Sequence, residues 1–264
     1  MHLSYVGLIQ CLGFVIGPLM GGVFSTSTYT TPFIYAAGAA LIAFLWIALG
    51  FQETHKSKEK KKIQLSRLYK VFIKAYKQKP VFLLCFIFLF MQIGVGLFLP
   101  IILIFFSNQF NYSPLFLGLF NAYLGVGFAL GLLVVLPRLV KKTFPENLCF
   151  YTLLISSLIQ IASGCLVFEI PQWILGFVFA VFIQQAYSLM FTSFSNATSA
   201  SSQGWVMGVS VAMMAIAWAI AGFGPNLIPI ITANGVILMG GFALGISSLL
   251  MKLYLKTYKH HLRN

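Results

Sequence analysis

Acid–base catalysis needs carboxylates or imidazoles held close together, and this chain offers few of either. It contains no Asp; Glu53, Glu59, Glu146 and Glu169 fall at the ends of apolar stretches or between them, as do His2, His55, His260 and His261. Cys11, Cys85, Cys149 and Cys165 lie inside apolar stretches without a C-x-x-C pair, so they read as small buried side chains rather than a metal or disulfide site. Serines with no base beside them are not nucleophiles. No catalytic residue, metal ligand or cofactor is therefore expected, and the chain does not read as an enzyme. What remains inside the apolar stretches is a set of uncharged polar and aromatic side chains: Gln10, Gln92, Asn121, Tyr123, Gln160, Gln184, Gln185, Tyr187 and Trp218. Their chemistry is hydrogen bonding and ring contact, either between helices or toward a bound molecule.

The elements that carry these residues are set by composition. Of 264 residues 59% are hydrophobic and only 8% charged, with mean hydropathy +0.93. No water-soluble domain hides so much apolar surface inside itself, so lipid surrounds most of the chain. The apolar runs predict an all-α polytopic membrane protein of about eight helices, near 3–23, 32–51, 81–106, 115–136, 147–168, 172–194, 204–227 and 234–254. A first helix without a charged leader or cleavage site is expected to stay in the mature chain.

The net charge of +13 would suggest nucleic acid in a soluble protein. Here its placement explains it. Alternation puts 52–80, 137–146, 195–203 and both termini on one side, and all 17 Lys and Arg fall there. The connections on the other side contain none. That asymmetry predicts cytoplasmic termini, and no nucleic-acid partner is expected. Within 52–80, Leu65, Leu68, Tyr69, Phe72 and Tyr76 recur at three and four residues between lysines, predicting an amphipathic helix on the membrane surface.

Gly13, Gly17 and Gly21 fall on one face of the first helix, followed by Gly22, and Pro18 removes a backbone donor from the same turn. The spacing predicts close approach by another helix along that face. The order Gly13-x3-Gly17-Pro18-x2-Gly21-Gly22 resembles the antiporter motif in the fifth helix of the major facilitator superfamily, particularly its drug:proton antiporter branch. Upstream the pattern departs from the family, with Ser4 where a glycine is usual. The second helix, opening at Thr31-Pro32-Phe33 and closing at Gln52-Glu53-Thr54 before a basic segment, is similar to the family's sixth. Gln203-Gly204 with Gly208, running to Gly224-Pro225, looks like its eleventh. In the loop before the ninth helix Arg138, Lys141 and Lys142 remain of an acidic and basic gating motif, without its aspartate, and read chiefly as topology determinants.

The resemblance implies a partial fold: residues 1–51 as the last two helices of the N-terminal half, 52–80 as the basic linker, and 81–264 as a complete six-helix C-terminal half. It implies a missing four-helix segment as partner, besides the bilayer and a small-molecule substrate, and a bacterial inner membrane as the location. It also implies that Gln92, Asn121, Tyr123, Gln184, Gln185, Tyr187 and Trp218, joined by Gln10, face a substrate cavity, although the adjacent Gln184 and Gln185 cannot both do so. Each has the alternative of bonding between helices, and Gln160, on a peripheral helix, reads as structural. Apolar and aromatic walls with a few amides suit lipophilic or weakly polar compounds. The implied function is secondary-active efflux by alternating access. An ionisable group at membrane depth costs roughly 2.5 to 3.5 kcal/mol and is kept for function; none is present, so this segment alone is not expected to couple transport to protons. Two other readings fit the same residues: a transport-inactive fragment or interaction subunit, and a facilitative carrier of a small metabolite.

Overall fold

The computed structural model describes residues 2–25, 28, 30–51, 73, 75–199 and 202–258, with side chains of 2–8 and 10 left aside. The expected surface helix within 52–80 lies mostly outside these residues. Among them the chain forms eight helices and no strand: α1 (His2–Phe24), α2 (Thr31–Gly50), α3 (Lys79–Phe110), α4 (Pro114–Val140), α5 (Pro145–Cys165), α6 (Glu169–Asn196), α7 (Gln203–Ala221) and α8 (Gly224–Tyr258). Seven of these, α2 to α8, are long and apolar enough to cross a bilayer, and α1 has its apolar part at Cys11–Phe24. The protein is an integral membrane protein.

Prolines set several boundaries. α3 breaks at a turn over Leu97 and Phe98 and resumes as Leu99–Phe110 with Pro100 in its first turn. The pyrrolidine ring cannot coexist with the carbonyl four residues earlier in an unbroken helix, and Gly96 is where the first piece ends. Ser113 caps α4 by accepting from the backbone N–H of Phe116, with Pro114 following it in the first turn. Gly224-Pro225 corrects an expectation: these residues do not end the seventh helix, which stops at Ala221, but open α8. Proline belongs in a first turn because its missing N–H has no partner there in any case. α8 is itself interrupted at Thr232, whose φ of 64° and ψ of 165° lie in a region that side chains resist. The Thr232 hydroxyl accepts from the Gly235 N–H and so starts the helix again.

The core sits where α3, α5, α6 and α8 meet, filled by large side chains such as Phe88, Phe98, Phe179 and Phe194 that are fully buried. Polar groups join these helices. Gln160, assigned from the sequence to a structural role, is buried on α5 and donates to the carbonyls of Gly94 on α3 (3.0 Å) and Ile237 on α8 (3.2 Å). That junction exists because Gly240 has no side chain: a Cβ there would collide with the Gln160 amide and stand 3.0 Å from the Gly94 oxygen. Ser157 donates to Gly241 O, and Ser247 to Ile87 O. In lipid, where apolar association drives little, such bonds and small-residue crossings hold helices together.

α1 lies antiparallel against α4, whereas α2 has no buried residue and touches α1 through the Phe24–Tyr35 stack. In α4 the winding widens to a π-helical turn over Gly131–Val135, and Gly131 at its start abuts the Val181 backbone carbonyl of α6. The two ends of the bundle differ in chemistry. At one end Lys77 and Lys79 share a cavity with Thr198, Ser202 and Tyr258, and Asn196 donates to Glu146 (2.9 Å). At the other, the Tyr112 hydroxyl donates to Glu169 and accepts from the Trp173 indole N–H (2.9 Å), tying the α3–α4 connection to α6. Burial pushes the Tyr112 phenol above its ordinary value; its bond to Glu169 adds to the rise and the Trp173 bond opposes it.

Candidate functional site

Helical phase decides which polar side chains meet. On α3, Gln92, Val95 and Leu99 recur at three and four residues, with Met91 beside them; on α6, Gln184 and Tyr187 are three apart, with Ile183 beside them; on α7, Met214 and Trp218 are one turn apart. These faces, with Cys11, Gly13, Phe14 and Pro18 of α1 and Phe128 of α4, enclose a central cavity of about 570 Å³. Phe14 and Phe128 meet edge to face at 5.3 Å and close the wall between α1 and α4. Trp218 lies over Gly96, where α3 ends its first piece.

Of the eight cavity candidates in the sequence, the structure brings together four: Gln92, Gln184, Tyr187 and Trp218. Three others are not on its wall. Gln185 is buried and donates to the Val181 carbonyl of its own helix, because its phase is turned by one residue from Gln184. Tyr123 stacks on Phe177 at 4.6 Å and packs against Trp173 at 5.4 Å, filling the α4–α6 contact. Asn121, two positions earlier on α4, is not on the cavity wall. Gln10 falls among the side chains left outside the description.

The glycine motif divides in an instructive way. Gly22, Pro18 and the residues around Val15 form the face that α4 approaches: a Cβ on Gly22 would lie 2.8 Å from the Pro114 carbonyl, one on Gly118 would collide with that of Pro18, and one on Gly125 would lie 2.8 Å from Val15. At Gly13, Gly17 and Gly21 a Cβ would meet nothing within 4 Å. The expected close approach along the 13–17–21 face is therefore corrected among the described residues. α4 docks on the neighbouring face, one residue around the helix, and Gly13 instead borders the cavity.

The cavity wall is chiefly apolar and, among the described residues, carries no Asp, Glu, His, Lys or Arg. Tyr187 directs its hydroxyl toward the Met214 sulfur at 4.0 Å, a weak acceptor. Neither the Gln92 nor the Gln184 side-chain amide has a hydrogen-bond partner among the described residues. An amide left unpaired in apolar surroundings costs about 1 to 3 kcal/mol, which a bound molecule with matching groups can recover. Met91, Met214 and Phe128, which sequence reasoning passed over, give that molecule an adaptable apolar surface. For Met214 the signal is its spacing of one helical turn from Trp218.

The sequence profile of the Major Facilitator Superfamily matches residues 1–225. The chain belongs to this family. Its bundle of apolar helices around a central cavity is accordingly that of a membrane transporter family, and the antiporter-like order at Gly13–Gly22 lies within the matched region. Among curated proteins the chain is similar to Multidrug resistance protein 2 of Bacillus subtilis (strain 168), at 28% identity over 115 residues. The match covers 42% of this chain and 29% of that relative, so less than a third of the relative's length is represented.

Proposed function

We propose that this chain forms the larger part of a secondary-active transporter that exports lipophilic small molecules by alternating access, with the α1–α3–α4–α6–α7 cavity as its substrate site. The supporting observation is the cavity itself: about 570 Å³, apolar and aromatic, with the two unpartnered amides of Gln92 and Gln184 on adjoining helices. Such walls hold an uncharged or delocalised aromatic molecule by contact area and orient it through one or two hydrogen bonds. The name of the Bacillus relative is in keeping with efflux. A recognition surface without a nucleophile–base pair favours transport over enzymatic chemistry.

In this reading residues 1–51 are the end of the N-terminal half, 52–80 the connection, and 81–264 the C-terminal half. Four further helices cover the outward faces of α1 and α2, where Phe33, Trp46 and Leu49 stand exposed. The basic ends support a reading in which both termini face the cytoplasm across a bacterial inner membrane. Coupling to an ion then depends on acids other than the described lining residues, none of which is Asp or Glu. The same exposed faces favour a second reading, an interaction subunit that does not move substrate alone.

The test is efflux of a lipophilic dye such as ethidium from cells or vesicles carrying the chain together with the remaining helices. Gln92→Leu and Gln184→Leu are expected to lower transport of polar aromatic dyes by about tenfold each, and Gln185→Leu to leave it near the parent level. Equal loss in all three variants, or transport of sugars in place of dyes, would refute the site assignment.

A further inference from the structure

Among the polar side chains that line the central cavity, Gln92 is the most deeply set, at 3% exposed, and its amide has no hydrogen-bond partner among the described residues. Four residues further along α3, on the same face, is Gly96. Trp218 of α7 lies over that glycine, its ring 3.8 Å from where a Cβ would be. With no side chain at Gly96 to hold it off, the indole comes within about one helical turn, ~5.4 Å along the axis, of Gln92. Trp218 remains 43% exposed, so α3 covers only part of its surface. An aromatic ring laid on Trp218 therefore brings its edge within reach of the Gln92 amide, while Met91 and Met214 on the same wall adapt to its outline.

A primary amide holds a carbonyl oxygen and an N–H side by side in one plane. A molecule that only accepts engages the N–H and leaves the oxygen bare, and one that only donates does the reverse; either way a buried polar atom stays unpaired. An edge that carries an N–H next to a C=O meets both at once, in the same two-bond pairing by which a Gln side chain reads the adjacent donor and acceptor of adenine. We infer that the substrates of this cavity are planar aromatic heterocycles with such an edge, lactams above all, which lie on Trp218 and pair with Gln92. The inference rests on the reading of the cavity as a substrate site and narrows it from lipophilic molecules at large to one edge chemistry.

The experiment is equilibrium dialysis of the full chain in detergent, against micelles alone, with two probes of one outline: the tricyclic lactam phenanthridinone and the corresponding lactone, benzocoumarin, in which oxygen replaces the ring N–H. The lactam is expected to bind more tightly, and the lactam-to-lactone affinity ratio to fall about tenfold in Gln92→Leu. Gln185→Leu, whose amide is not on the wall, should keep the parent ratio. Equal affinity for the two probes in the parent chain, a ratio that Gln92→Leu leaves unchanged whether or not both affinities fall, or no binding of either probe would overturn the inference. Export is read separately, from vesicles that carry the chain with the remaining helices. A lactam preference in dialysis with no efflux of either probe supports the edge recognition and refutes the transport reading; efflux of both probes with no preference does the reverse.

Discussion

Replacing Gly118 by alanine puts a methyl group where the Pro18 carbonyl oxygen of α1 now lies, with the Gly22 Cα 3.3 Å away. Both obstacles are backbone atoms and cannot rotate aside, so α1 must withdraw from α4 by about 1 Å or the helices must slide. Overpacking of this kind costs about 1 to 3 kcal/mol. Alanine's better helix propensity returns up to ~1 kcal/mol, leaving a net loss of roughly 1 to 2 kcal/mol. Gly17→Ala gains the same propensity and meets nothing within 4 Å, so it should be neutral or slightly stabilising. Thermal unfolding of the purified chain in detergent, read by intrinsic fluorescence and by the monodisperse fraction on gel filtration, compares the two. If Gly118→Ala is as stable as Gly17→Ala, the docking of α4 on the Val15–Pro18–Gly22 face is wrong. A loss at Gly17 confined to a protein completed with further helices would instead locate one of those helices on the open face.

The Gln160 junction gives a second prediction: Gln160→Leu removes two bonds, at ~0.6 kcal/mol each on average, and should lower stability by about 1 kcal/mol. Equal unfolding temperatures for Gln160→Leu and the parent would show that the bonds to Gly94 and Ile237 contribute nothing. At the opposite end, the raised phenol of Tyr112 makes a statement about alkaline pH. Its folded pKa lies above the unfolded one, so the contribution is fully present below the unfolded value near 10 and is lost as pH rises through the folded value. Glu169→Gln removes the carboxylate that adds to the rise and should bring the Tyr112 transition to lower pH, read as the tyrosinate absorbance missing from Tyr112→Phe. An unmoved transition would leave burial as its whole cause.

Helix number and order were legible because apolar runs and basic residues obey strong solvent constraints: a span needs length, and lysines mark one side. The phase of each helix toward its partner was less so. The glycine pattern of α1 reads equally well for the face at Gly17 and for the one at Gly22, and only the position of Gly118 and Gly125 on α4 selects the second. For α6 the information was present, since Gln184 shares a face with Tyr187 and Gln185 does not. Thr232 shows the opposite case: nothing local in a Thr predicts a positive φ, which here accompanies the hydroxyl's bond from the Gly235 N–H at the restart of the helix. Gln160 was read as structural, but its reach to two helices depends on the bare backbone at Gly240, 80 positions away in sequence.

The π-helical turn over Gly131–Val135 means that α4 carries one residue more than its length along the axis requires. Deleting a single position there would restore ordinary winding without shortening the rod. Everything after it, including Arg138 and the Lys141–Lys142 pair, would then sit about 100° further round relative to the half that grips α1. A one-codon loss in α4 would thus act as a twist of its basic end, and length-preserving point changes nearby could not imitate it.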